Sequence, residues 1–169
     1  EESFAESMRV IPLLEERATR DPAARIQLST ALGQLAAAQL PIAREAARLT
    51  LVRLLGFDEK LFGPDHPEVA KTLHDLGAAE IQLERLDDAS QHLQRALRIA
   101  MRAYGERHPM VSMIYVTSAH LALMQQHGAD AKKLYSSARE APCGVLAEDA
   151  RALLAIAPAV GETPRPPGT

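Results

Sequence analysis

A five-residue punctuation recurs at a fixed distance and limits what this chain can fold into. Gly63-Pro64-Asp65-His66-Pro67 returns as Gly105-Glu106-Arg107-His108-Pro109, 42 residues later. The positions after each copy match in size: Val69 with Val111, Leu73 with Tyr115, Ala89 with Ala131, Leu93 with Tyr135 and Ala96 with Ala138. A unit that repeats with small and large apolar positions in register buries its apolar face by stacking on its neighbours, so the period predicts a stacked-repeat protein. Within each unit apolar residues recur at three- and four-residue steps, the helical period. The expected fold class is all-α.

Composition agrees. Alanine and leucine dominate and aromatic residues make up 4%, which suits close-packed helices. The formal net charge is −3 with both signs mixed along the chain. A nucleic-acid or acidic-membrane binder needs a concentrated basic face, so neither partner is expected. The single cysteine, Cys143, excludes an internal disulfide and fits a reducing, cytoplasmic compartment. No apolar run reaches the roughly 18–20 residues that span a bilayer. The start, Glu1-Glu2-Ser3, shows no signal peptide and no initiator Met, which suggests an excised fragment.

Taken in order, residues 1–22 carry an N-terminal helix or two short ones, with Phe4, Met8, Ile11, Leu14 and Ala18 on one face and Pro12 as a kink or a new start. Asp21-Pro22 opens the next element as cap and first turn. A divergent first repeat occupies 23–62, its first helix carrying Ile26, Leu28, Leu32, Leu35 and Ala36 on the apolar face. Gly63 ends its second helix, and Asp65 or His66 caps the one that follows. The second repeat spans 63–104, a helix over 67–84 and a partner opened by Asp87 and Asp88. The third spans 105–141, as helices 109–126 and 129–140 around Gly128. Pro142 and Gly144 then break the chain, a capping helix is expected within 142–157, and a disordered tail over 158–169.

Leu73-x2-Leu76-Gly77 followed by Ala89-x3-Leu93 and Ala96 resembles the tetratricopeptide repeat, a helix-turn-helix unit that stacks into a superhelix. The period exceeds the usual one of about 34 residues by roughly two helical turns. With the Gly-Pro-Asp-His-Pro-x-Val opening, the pattern is similar to the kinesin-light-chain-type subgroup, which also occurs in bacterial arrays attached to protein kinases and regulators. Leu32-Gly33 and Ala47-x3-Leu51 fit with two extra residues between them, and residues 3–20 look like the second helix of a truncated repeat. Glu80 replaces the expected Tyr, and Ser118-Ala119 replaces Leu-Gly, so the third repeat is degenerate. The resemblance implies helix pairs, antiparallel within each repeat, stacked in a right-handed α-solenoid. A weaker likeness, over roughly 60–111, is to the helical C-terminal lobe of SET-MYND lysine methyltransferases, which carries no chemistry itself.

The resemblance also implies a concave groove lined by first helices. Its positions here are Gln27, Thr30, Ala31 and Gln34, then Lys71, His74, Asp75 and Ala78, then Met113, Val116, Thr117 and His120. Relatives that clamp chaperone C-terminal carboxylates use Asn with Lys or Arg, and this chain contains no Asn. Acidic cargo is disfavoured too, since Lys71 alone preserves little of the basic set. The expected function is a protein-interaction scaffold holding a peptide or partner domain in that groove. The alternative is a regulatory or oligomerising segment of a larger protein such as a bacterial kinase or transcriptional regulator. Self-association through the terminal helices is a further possibility.

Chemistry of other kinds finds little support. His66 and His108 read as loop histidines that pack and cap, not as metal ligands, for no ligand cluster surrounds them. His120 and His127 share a helix face without an acidic or Cys partner. His74-Asp75 are adjacent on a helix and should point apart. Cys143 lies near Glu140 and Glu148, which oppose a reactive thiolate. Met110, Met113 and Met124 read either as core or as an adaptable surface. No catalytic residue, cofactor or metal is expected.

Overall fold

The computed structural model describes residues 2–139. The capping helix expected within 142–157, the tail 158–169 and Cys143 lie outside them. Seven helices and no strand occur among the described residues: α1 Glu2–Ala18, α2 Pro22–Gln39, α3 Arg44–Phe62, α4 Pro67–Gln82, α5 Leu86–Tyr104, α6 Pro109–Met124 and α7 Gly128–Arg139. The architecture is the all-α helical repeat that the 42-residue period predicts. Two compact units divide the chain, one through Ile99 and one from Ala100.

In the first unit α1 packs on α2, α2 on α3 and α3 on α4. Their shared core holds Ile11, Leu14, Ala18, Leu28, Leu32, Leu35, Leu51, Leu54 and Leu76. Pro12 neither breaks nor divides α1. It is exposed beside buried Ile11, and the packing of Ile11, Leu14 and Ala18 keeps the segment helical despite the missing N–H. Asp21 caps α2, its carboxylate accepting from the Ala23 N–H at 2.9 Å, with Pro22 in the first turn. Ile26, expected on the apolar face, is exposed instead. The buried stripe of α2 runs through Ala24, Leu28, Ala31, Leu32 and Leu35, and Ile26 lies two residues from it on either side, on another face.

The recurring punctuation has a specific mechanical role. Gly63 and Gly105 adopt φ of 94° and 80°, a region that favours glycine because no Cβ clashes there. His66 and His108, and not Asp65, are the N-caps: each Nδ1 accepts a backbone N–H two residues on, from Glu68 at 3.2 Å and from Met110 at 3.1 Å. Each ring also stacks on an aromatic at the end of the preceding helix, His66 on Phe62 at 4.8 Å and His108 on Tyr104 at 4.0 Å between centroids. Phe62 and Tyr104 are themselves one period apart. His66→Ala removes both cap and stack and is expected to lower unfolding free energy by about 1 kcal/mol. His66→Asn, which restores an acceptor but not the ring, should recover part of that loss in urea titrations followed by circular dichroism.

The turn inside the second and third repeats also follows the period. Glu84 and Gln126 have φ of 59° and 62°. The next residue's N–H reaches back to a helical carbonyl, Arg85 to Glu80 at 2.9 Å and His127 to Ala122 at 2.8 Å, satisfying groups a helix end otherwise leaves open.

Helix α5 lies close against α4 because Gly77 has no side chain. A Cβ at Gly77 would stand 2.7 Å from Cγ of Leu93 and 2.9 Å from its Cδ2. Glu80, in the position where the repeat usually has Tyr, is 2% exposed, and its Oε2 meets Nδ1 of His92 at 2.7 Å. Arg95 ties α5 back to the punctuation: it pairs with Glu59 at 2.6 Å and donates to the Pro64 carbonyl at 3.0 Å.

In the second unit α6 packs on α7, with Val111, Ile114, Ala119, Leu121 and Ala122 facing inward from α6 and Ala131, Tyr135 and Ala138 from α7. The Ser112 hydroxyl donates to the Ala138 carbonyl at 2.6 Å. Ala119 and Tyr135 stand one period after Gly77 and Leu93 and share one core cluster. Tyr135 fills its position at the cost of a buried hydroxyl with no hydrogen-bond partner, and burial pushes its phenol up from the usual range. Tyr115 is half-buried and points its hydroxyl at Met101 Sδ, 3.9 Å away.

Candidate protein-binding groove

The site is built from helix spacing. In α3 the inward residues are Ala47, Leu51, Leu54 and Asp58, steps of four, three and four that form one face. The last inward position on that face is a carboxylate. Asp58 is 1% exposed. Its Oδ1 accepts from the Ser29 hydroxyl of α2 at 2.7 Å and its Oδ2 from the Thr72 hydroxyl of α4 at 2.8 Å. Three consecutive helices are thereby joined through one side chain. Burial pushes the Asp58 carboxyl above the ordinary carboxylate range; the two hydroxyl donors and the Lys71 charge oppose that rise, and Glu68 adds to it.

A cavity of about 390 Å³ opens beside Asp58 between α2, α3 and α4. Thr30, Gln34, Lys71 and Asp75, four groove residues expected from the sequence, line it together. Gln27 joins Thr30 and Gln34 in a neighbouring hollow against Val10, Leu14 and Ile26. His74 does not line the cavity. It is buried, and its Nδ1 sits 3.2 Å from Asp75 Oδ1. Adjacent positions on a helix were expected to point apart, but these two side chains bend toward each other, leaving the Asp75 carboxylate part-exposed. Ala78 is half-buried and also lies off the cavity.

The remaining expected positions lie on α6. Met113 and His120 are exposed. Val116 packs on the Ala119–Tyr135 cluster. Thr117 returns its hydroxyl to the Met113 carbonyl at 3.1 Å. Met124 is exposed as well, so two of the three methionines present apolar surface.

Asp58, Ser29 and Thr72 were not anticipated as site residues. The signal was present for Asp58, since it continues the buried stripe of α3 at helical spacing. A carboxylate on such a stripe must find donors inside the protein. Among the described residues no group of three or more His, Cys, Asp or Glu is arranged to hold a metal ion. Among the same residues no helix is long and apolar enough to cross a membrane.

Helix pairs at a 42-residue period, capped alike and packed through matched small and large residues, define a helical-repeat protein. The chain belongs to the tetratricopeptide repeat family, whose profile matches residues 27–101 and again 70–142, more than half of the chain. Its repeats take the 42-residue, kinesin-light-chain-type form read in the sequence. A clustered mitochondria protein homolog of Candida albicans is 28% identical over 78 residues, 46% of this chain. That match spans only 6% of the Candida protein's length. The solved structure of BtubC (BKLC) from P. vanneervenii superposes with a TM-score of 0.59 at 14% identity, covering 99% of this chain and 95% of that one. This last likeness is one of fold. Tetratricopeptide repeats are generally protein–protein interaction modules.

Proposed function

We propose that the chain is a non-enzymatic interaction scaffold that holds a peptide or the surface of a partner domain on its first-helix face. In the first unit the contact residues are Gln27, Thr30, Gln34, Lys71 and Asp75, and in the second Met113, Thr117 and His120 of α6. His74, buried beside Asp75, and the part-buried Ala78 and Val116 complete the proposed set. The observation that carries this reading is the cavity between α2, α3 and α4, which gathers four residues from consecutive repeats around one opening. Stacked helices pre-order such a surface, so little conformational entropy is lost when a ligand docks. The reading assigns the chain a protein or peptide ligand in the cytoplasm, without nucleic acid, membrane, cofactor or metal.

Selection of a random peptide library against the full chain tests it. Enriched peptides should bind at least tenfold more weakly to the triple variant Thr30→Ala, Gln34→Ala, Asp75→Ala, with the far-ultraviolet spectrum unchanged. Undiminished affinity in a folded variant would place recognition elsewhere. A second reading, a regulatory or oligomerising repeat segment of a larger protein, draws support from the much greater length of the Candida relative. Leu13, exposed on α1, gives self-association through that terminal helix an apolar contact, and sedimentation velocity across a concentration series tests it.

A further inference from the structure

We infer that the cavity between α2, α3 and α4 is a socket for a basic side chain of the bound partner, arginine in preference to lysine. The inference rests on the groove reading and names the chemistry that the groove selects. Among the described residues three carboxylates border the cavity, Asp58 in its wall and Glu68 and Asp75 on α4, against the single ammonium of Lys71. The charge around the opening is therefore negative, and it complements a cation.

Asp58 makes the stronger argument. It is all but inaccessible to bulk water, yet the groups that bond it are two neutral hydroxyls. A carboxylate has about four lone-pair sites and these bonds use two. Burying a carboxylate is costly, the Lys71 charge offsets that cost in part, and a cation brought beside the carboxylate offsets more of it. The Ser29 and Thr72 hydroxyls fix the carboxylate in place before any ligand arrives.

The rest of the lining suits the stem of such a residue. Gly33, Ala37 and Leu54 supply an apolar wall, against which methylene groups pack while the charged head reaches the acids. Thr30 and Gln34 add neutral acceptors at the same opening. A guanidinium presents five donors in a planar fork and can address two acceptors at once, which an ammonium does less well. Lys71 plays an unusual part here: as the one cation bordering the cavity among the described residues it competes with the ligand, so its removal favours binding. A groove selecting acidic peptides would behave in the opposite way.

The test uses the full chain labelled with nitrogen-15 and titrated with N-acetyl-argininamide. N-acetyl-citrullinamide, of the same shape without the charge, is the control. The arginine probe should shift the amides of Ser29, Gly33, Lys71 and Thr72, with at least fivefold weaker binding of the citrulline probe. Glu68→Gln and Asp75→Asn should each weaken the arginine probe several-fold, and Lys71→Ala should tighten it. Equal shifts from the two probes, or tighter binding in Asp75→Asn, overturn the socket. Peptides selected from the library separate the two readings. If they shift these amides without carrying basic residues, the groove stands and the basic specificity falls. If the selected peptides leave these amides unmoved, the groove reading fails as well.

Discussion

Leu93→Ala is expected to cost about 2–5 kcal/mol of unfolding free energy, the usual range for a fully buried leucine truncated to alanine. Small domains have a total stability of about 5–15 kcal/mol, so the variant should unfold at a visibly lower urea concentration. Leu93 is 1% exposed and sits directly over Gly77. The same contact makes Gly77→Ala costly on its own, about 1–3 kcal/mol, because the new methyl would press on the branching carbon of Leu93 and not on a flexible tip. The two changes should not add. With Leu93 already truncated the obstruction is gone, and Gly77→Ala should then stabilise, by up to about 1 kcal/mol from helix propensity. A double-mutant cycle from denaturation midpoints reads this change of sign. An equal cost for Gly77→Ala in both backgrounds would show that α4 and α5 do not approach as closely as this.

The second large effect is expected at Asp58. Asp58→Ala strands the Ser29 and Thr72 hydroxyls, Thr72 itself being buried. The expected loss is about 2–4 kcal/mol, since each stranded group costs about 1–3 kcal/mol and water reaches part-buried Ser29 more readily. Asp58→Asn keeps an acceptor and a donor for the two hydroxyls and should cost far less. The two variants also differ in pH response. Burial raises the folded-state pKa of Asp58 above its unfolded value, so the folded protein binds that proton more tightly. The corresponding stability is fully present below the ordinary carboxylate value and is lost as pH rises through the raised one. Asp58→Asn removes this slope, and parallel urea titrations from pH 3 to 8, a span of about five units around the reference value of about 3.9, should show it flattened. Equal destabilisation by Ala and Asn would mean that the charge itself, and not its hydrogen bonding, holds the three helices.

Much of this molecule is legible along the chain. The return of Gly63-Pro64-Asp65-His66-Pro67 announces the period, and small and large residues in register announce which helices pack. Helix starts at Pro22, Pro67 and Pro109 follow local chemistry, because a proline in the first turn and a cap before it need only neighbouring residues. The proposed groove rests on the resemblance, and what the structure adds is which of its residues come together. Thr30, Gln34, Lys71 and Asp75 were expected through the family resemblance and do share one cavity, whereas His74, placed beside them by the same alignment, is buried against its neighbour.

Tertiary structure decided the rest. Asp58 and Glu80 are carboxylates on inward stripes, and a sequence pattern that sorts residues into apolar and polar does not say whether such a group turns out to water or finds donors inside. Ser29 and Thr72 supply donors to Asp58, and His92 meets Glu80, each from another helix, at separations no local rule spans. Ile26 is apolar yet exposed, because the face of α2 that packs is chosen by α1 and α3 together. Periodicity and capping are properties of one helix and its immediate neighbours, so the sequence by itself determined the repeat, its length and its punctuation. Burial of charge depends on which groups several helices bring to one point, and only the packed structure decided that.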